Sequence, residues 1–279
     1  MAEDRLSKAQ RREEARLAAQ RIKEEQERKA RRQRNLAIVL AVVGAILVGG
    51  TAWMIIAESR QPVLADIELR PEGSTLSGGI PVGPDGVAGV TEGAADDAVT
   101  VAVYSDFMCP ICSQFEQING ETLAELRESG DIVLEYHPVT ILDRTSQGTA
   151  FSTRSATAAA FVASEAPEEF VAFVDAMFAN QPEEGTPGLS DAEIADVARE
   201  AGVPEDVAAQ IESSAYLGSG ADDPETFGPW VNAATSQASK DLGRLGTPTI
   251  TLDGEKLDVE KYNWTEEGVL AQAIEDARG

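Results

Sequence analysis

Cysteine and histidine are almost missing: the 279 residues hold two cysteines and one histidine. A structural zinc site normally draws four ligands from those two residue types, so no metal is expected. No cysteine stands close behind the long apolar run near the N-terminus, so no lipid attachment is expected there. Basic residues are scarce beyond the first 34 positions, where the rest of the chain carries 11 Lys+Arg against 41 Asp+Glu, a net of −30. Such a chain lacks the basic face that phosphate binding needs, and nucleic acid is excluded as a partner. The acid excess reads as a solvated, self-repelling surface. Lysine is scarce beside arginine and alanine is abundant, which points to a GC-rich bacterial genome. No internal repeat is apparent.

What is present begins with a membrane signal. Leu36 to Ala57 is 22 residues without a charge, long enough to cross a bilayer at about 1.5 Å per residue. Trp53 suits the far interface. Residues 1–34 hold 12 Lys+Arg and 7 Asp+Glu, a net of +5, and positive charge beside a span stays cytoplasmic. The expected topology is single-pass in the cell membrane, N-terminus inside and the acidic bulk outside. A cleaved signal peptide is the rival reading; the apolar run is long for one, and Ala57-Glu58-Ser59 is a poor cleavage site. In both readings the cysteines end up where disulfides persist.

The expected domains follow from composition. Residues 1–35 read as a charged cytoplasmic helix or tail, and 36–57 as the anchor. Residues 58–95, rich in Gly and Pro, read as an extracytoplasmic linker of about 40 residues, spanning roughly 35 Å as a flexible coil. The part near Gly79 to Val82 can add an edge strand. Residues 96–279 read as one folded α/β domain. Val99 to Tyr104 predicts a strand, Cys109 to Ser129 a helix closed by Gly130, and Ile132 to His137 a second strand stopped by Pro138. Strand, helix, strand in about 40 residues predicts parallel strands with a right-handed crossover. Residues 149–241 read as a helical insertion, with a capping box at Ser190-Asp191-Ala192-Glu193 and further helices opening near Pro167, Pro204 and Pro224. Thr249 to Leu252 and Glu255 to Leu257 flank Asp253-Gly254, a hairpin-turn dipeptide. A last helix is expected over 265–277.

The two cysteines sit in Cys109-Pro110-Ile111-Cys112, at a predicted strand-to-helix turn. Three uses compete: half a zinc site, an inert bridge, or disulfide exchange. Ligands for zinc are lacking, and a bridge across three residues closes too small a loop to gain much entropy. Exchange fits the geometry. At a helix N-terminus the free N–H groups and the macrodipole favour a thiolate by roughly 0.3–2 kcal/mol. Cys109, on the exposed side of the turn, is expected to attack or be attacked; Cys112, one turn in, to resolve the mixed disulfide. Pro110 restricts the turn without removing a needed donor. No cofactor beyond the sulfur pair is implied.

The run Tyr104-Ser105-Asp106-Phe107-Met108-Cys109-Pro110-Ile111-Cys112-Ser113-Gln114-Phe115-Glu116 resembles the active-site segment of DsbA-like proteins of the thioredoxin superfamily. Tyr136-His137 resembles the end of their next strand, the helical block their inserted domain, and Leu245-Gly246-Thr247-Pro248-Thr249 their cis-proline loop. The resemblance spans residues 96–277. It implies an α/β thioredoxin fold with a helical insertion and leaves out the anchor, so the fold expected is that domain preceded by the one transmembrane helix read from the apolar run. It also implies a cis Pro248 facing the sulfurs, with the Thr247 backbone pairing to a substrate strand. Two positions depart from the pattern. Ile111 stands where strong oxidases of the family often carry His, so a less acidic Cys109 and a milder oxidant are expected. Val103 stands where a buried acid often handles protons. Asp106 and Glu116 are nearby acids, read either as proton relays or as solvated surface groups; His137 is read as a tuning residue or a hydrogen-bonded structural one.

The function these readings imply is an extracytoplasmic protein disulfide oxidoreductase that oxidises reduced or unfolded secreted proteins. A membrane partner such as a quinone-linked reoxidase would renew it. A reductase or isomerase using the same residues is the first alternative. A non-enzymatic binding module or chaperone is the second.

Overall fold

The computed structural model describes residues 8–279 in two compact units, the chain up to Gln61 and Pro62–Gly279. The first seven residues of the charged segment lie outside the described residues. The first unit is a helix, α1 (Lys8–Arg60), which joins the charged and apolar segments without a break. It is long and apolar enough to cross a membrane by length and composition.

The second unit is built on five strands: β1 (Ile80–Val82), β2 (Val99–Ser105), β3 (Ile132–Pro138), β4 (Thr249–Leu252) and β5 (Glu255–Lys256), in the order β1-β3-β2-β4-β5. β2 and β3 are parallel, with Val101 opposite Leu134 and Tyr104 opposite His137; every other pairing is antiparallel. Between β2 and β3 runs α2 (Pro110–Glu128). Its end is a Schellman motif: Gly130, at φ +81°, donates to Arg127 O, and Asp131 donates to Leu126 O.

The insertion supplies α3 (Phe151–Glu165), α4 (Phe170–Ala179), α5 (Asp191–Glu200) and α6 (Glu205–Glu212), then α7 (Gly228–Leu242) leads back to the sheet. The Ser190 capping box forms with both of its bonds. α4 opens three residues after Pro167, whose carbonyl instead accepts from Ala88 N. Asp253 and Gly254 both take positive φ in the β4–β5 hairpin, as a tight primed turn requires. The last helix, α8 (Val269–Arg278), starts four residues later than expected, behind Gly268 at φ +80°.

Alternation along β2 divides the core. Val99, Val101 and Val103 pack with Phe115 and Leu123 of α2 and Leu270 and Ile274 of α8. Ala102 and Tyr104 point the other way, against Ala238 of α7. A larger apolar cluster joins α3 to α7 and takes in Phe107, Met108, Cys109 and Cys112. The cysteine turn is thus the seam between sheet and insertion.

Residues 62–95 depart from the tether expectation. Leu64, Ile80, Val82 and Ala88 are buried in the insertion's cluster, and β1 is the edge strand that Gly79 to Val82 suggested. The loops between find fixed partners: Gly83 N donates to Val90 O, and Nη1 of buried Arg127 donates to the carbonyls of Gly83 and Pro84. A few well-spaced apolar residues and satisfied backbone groups hold a Gly/Pro-rich segment that composition alone reads as a coil.

Candidate active site

Cys109 is the N-cap of α2, in extended conformation, with Pro110 opening the helix. It is less exposed than its place on the turn suggested: 6% of its surface is accessible, against 0% for Cys112 and 52% for Ile111. Both cysteines are free thiols. The Thr247–Pro248 peptide is cis, and the Cys109 thiol donates to Thr247 O at 3.4 Å. Residues 138 positions apart thus meet across the site, one at the end of β2 and the other ahead of β4.

The two thiols are driven apart. The hydrogen bond from the Cys112 thiol does most to stabilise the Cys109 thiolate. Burial opposes it, and the Thr247 side chain and the backbone N–H groups of Cys112 and Ile111 add to it; the balance lowers the Cys109 pKa to about 6. Burial pushes Cys112 far above the ordinary thiol range, reinforced by the adjacent Cys109 sulfur. One sulfur is ionised near neutrality and the other keeps its proton, the division of labour that exchange needs.

Asp106 is not a solvated acid. It is fully buried. Its Oδ1 accepts from Met108 N at 2.9 Å and Ser152 Oγ at 2.7 Å, and its Oδ2 from Leu142 N at 2.9 Å. Burial pushes its pKa up to about 6 against those bonds. The carboxylate ties the cysteine turn to the start of α3. Glu116 is likewise half-buried rather than free in solvent, in a groove of about 310 Å³ shared with Asp175, Glu121 and Phe178. Burial first, and the charge of Asp175 second, push it up to about 8. It also lines a cavity of about 20 Å³ with Val103, Ser105 and His137, room for about one water molecule.

His137 turns toward a different network. Its Nε2 lies 2.9 Å from Glu135 Oε1, and its ring stacks on Tyr104 with centroids 4.0 Å apart. The same Glu135 oxygen accepts from Thr75 Oγ1 at 2.7 Å and Ser77 Oγ at 3.1 Å. Burial pushes the Glu135 carboxyl up, but the bonds from His137, Thr75 and Ser77 outweigh it and hold it below the ordinary range. Glu135, held by His137, therefore ties the turn bearing Thr75 and Ser77 to the sheet.

Sequence reasoning missed Gln181. Its Nε2 donates to Phe107 O at 3.0 Å and to Cys109 O at 2.9 Å. Among the described residues no group of three or more His, Cys, Asp or Glu is placed to hold a metal ion.

A thioredoxin family model matches residues 86–270, two thirds of the chain. The chain belongs to the thioredoxin family. Among solved structures, this thioredoxin domain is similar to the DsbG disulfide bond oxidoreductase of Mycobacterium tuberculosis, at 27% identity and TM-score 0.54, covering 72% of this chain and 88% of that one. DsbA of the same organism matches at 28% and 0.54, covering 72% and 93%. MdbA of Corynebacterium diphtheriae, a thiol-disulfide oxidoreductase, shares the fold at 23% and 0.56, covering 78% and 99%. The search of curated proteins returns no match. The DsbA-like architecture read from the cysteine turn, the helical insertion and the cis-proline loop is the one found.

Proposed function

We propose that this thioredoxin-family protein is an extracytoplasmic thiol–disulfide oxidoreductase that introduces disulfides into reduced secreted or membrane proteins through Cys109 and Cys112. The observation that carries the reading is the pairing of an ionisable Cys109 with a shielded Cys112 beneath the Thr247 carbonyl. Starting from the Cys109–Cys112 disulfide, a substrate thiolate attacks Cys109 Sγ. The S–S bond breaks, and Cys112 leaves with the electron pair and takes a proton. A second substrate thiolate then attacks the substrate sulfur of the mixed disulfide, and Cys109 leaves as a stable thiolate. Two electrons pass from the substrate to the pair, and the substrate gains one disulfide. A low leaving-group pKa speeds that release. Backbone groups at Thr247, beside Pro248, are placed to pair with an extended substrate segment. A membrane-bound reoxidase, quinone-linked for example, accepts the electrons in turn.

The apolar stretch of α1 and the net charge of +5 ahead of it support an anchor with the catalytic domain outside. The test uses full-length protein in detergent. Oxidised protein is expected to convert a reduced, unfolded test protein to its disulfide form in stoichiometric amount, and Cys109→Ala to abolish this with folding intact. A reduction potential below that of thioredoxin, about −270 mV, together with reduction of insulin, would overturn the oxidising direction in favour of a reductase. Unchanged activity in Cys109→Ala would favour the binding module.

A further inference from the structure

The cysteine turn is gripped from outside the sheet. Three contacts come from the C-terminal end of α4 and the two residues beyond it. The Phe178 ring packs on Phe107 with centroids 4.9 Å apart. Ser113 Oγ donates to Phe178 O at 3.1 Å. Gln181 Nε2 carries two hydrogens, and the two carbonyls it meets, those of Phe107 and Cys109, lie on either side of Met108.

The Cys109 carbonyl is the important one. Pro110 has no N–H, so this oxygen is the only hydrogen-bonding group on the peptide plane joining Cys109 to the helix. Its direction sets the ψ angle of Cys109, found at 114°. That angle decides whether the N–H groups of Ile111 and Cys112 point at Sγ. The same oxygen accepts from Cys112 N at 3.0 Å and Ser113 N at 3.4 Å, which begin the helix. A donor that fixes the carbonyl therefore fixes the geometry in which the thiolate is solvated by backbone.

We propose that Gln181 is a positioning residue for Cys109, through which the helical insertion holds the cysteine turn in its reactive geometry. Gln181 does not touch the sulfur. It acts through the carbonyl, and the insertion becomes a part of the dithiol's chemistry rather than a cover over it. This rests on Cys109 being the attacking sulfur.

The experiment compares reduced wild type with Gln181→Met, similar in length but without a donor, as full-length protein in detergent. The rate of Cys109 alkylation by iodoacetamide is followed from pH 4 to 9 by mass spectrometry. Losing a bond worth about one ordinary hydrogen bond is expected to raise the Cys109 pKa and slow alkylation at pH 5 about fivefold. The plateau rate at pH 9 is expected to stay the same. A profile superimposed on wild type, with only a lowered Tm, would overturn the proposal and leave Gln181 a packing residue. Should the variant fail to fold, the wild-type protein still decides. The side-chain amide resonance of Gln181 is expected to shift with the Cys109 titration midpoint, and a resonance that does not move would overturn the proposal. Alkylation reports on the sulfur alone, so failure here is distinguishable from failure to oxidise a substrate.

Discussion

Replacing Cys109 with Ser removes one ionisable group and little else, and the pH dependence of the loss is fixed by the site. In the folded dithiol form the Cys109 pKa is about 6; in an unfolded chain a thiol titrates near about 8.5. The folded value is the lower one, so the thiolate stabilises the fold at high pH, and that contribution is lost as pH falls through 6. Linkage gives roughly 1–2 kcal/mol at pH 7, roughly 2–3 kcal/mol at pH 8, and close to none at pH 5. The assay is thermal or urea unfolding of reduced full-length protein and Cys109→Ser in detergent with excess phosphine reductant, at pH 5 to 8. The difference between the two is expected to grow by about 3–6 °C in Tm between pH 5 and pH 7. A difference that stays flat over this range would refute the reasoning, because it would mean that Cys109 is not ionised by its surroundings. The same energy bears on redox direction. Only the dithiol form carries the thiolate, so roughly 1–2 kcal/mol at pH 7 raises the reduction potential by roughly 20–40 mV over a pair of ordinary thiols.

Three further outcomes are expected. Glu116, pushed up to about 8, keeps a proton that the unfolded chain releases near about pH 4.3, so wild type loses stability as pH rises toward 8. Glu116→Gln is expected to match wild type at pH 4 and exceed it at pH 8 by about 1–2 kcal/mol, allowing for its partial exposure; an equal offset at both pH values would count against this. Ser190→Ala removes the Oγ that accepts from Glu193 N in the α5 capping box, while the residue-190 N–H can still donate to Glu193 Oε2; it is expected to lower stability by about 1 kcal/mol without changing Cys109 alkylation. A Cβ at Gly79 would lie 1.9 Å from Glu135 Oε1, so Gly79→Ala must displace that carboxylate from Thr75, Ser77 and His137. The expected loss is about 1–3 kcal/mol in unfolding experiments, and a Tm within a degree of wild type would show that Glu135 relocates freely.

The fold was legible wherever the signal was local. β2, α2 and β3 follow from short apolar runs, a proline at the helix start and Gly130 at its end. The capping box at Ser190 and the Asp253-Gly254 turn name their own geometry. The segment 62–95 was misread because what orders it lies elsewhere in the chain. Arg127 supplies two bonds to the carbonyls of Gly83 and Pro84, Glu135 receives Thr75 and Ser77, and Gln237 accepts from Val63 N. Composition reports how many apolar residues a segment has, not whether a buried guanidinium waits for its carbonyls.

The site divides along the same line, and the division bears on Ile111. A pattern of residues next to the cysteines suggested that thiol acidity depends on the side chain between them, and that isoleucine, unable to donate, leaves Cys109 ordinary. The structure puts Ile111 half in solvent, contributing only its backbone N–H to the sulfur. The lowering to about 6 comes from the Cys112 thiol, the Thr247 side chain and main-chain donors. That value falls between thioredoxin, about 7, and DsbA, about 3.5. With no His at position 111, that acidity comes first from the Cys112 thiol, and the main-chain donors add to it. Backbone direction at Cys109 is in turn held by Gln181, 72 residues away. No periodicity or motif marks a glutamine whose amide meets a carbonyl in another element, so the residue best placed to control the turn is the one that sequence had no means of showing.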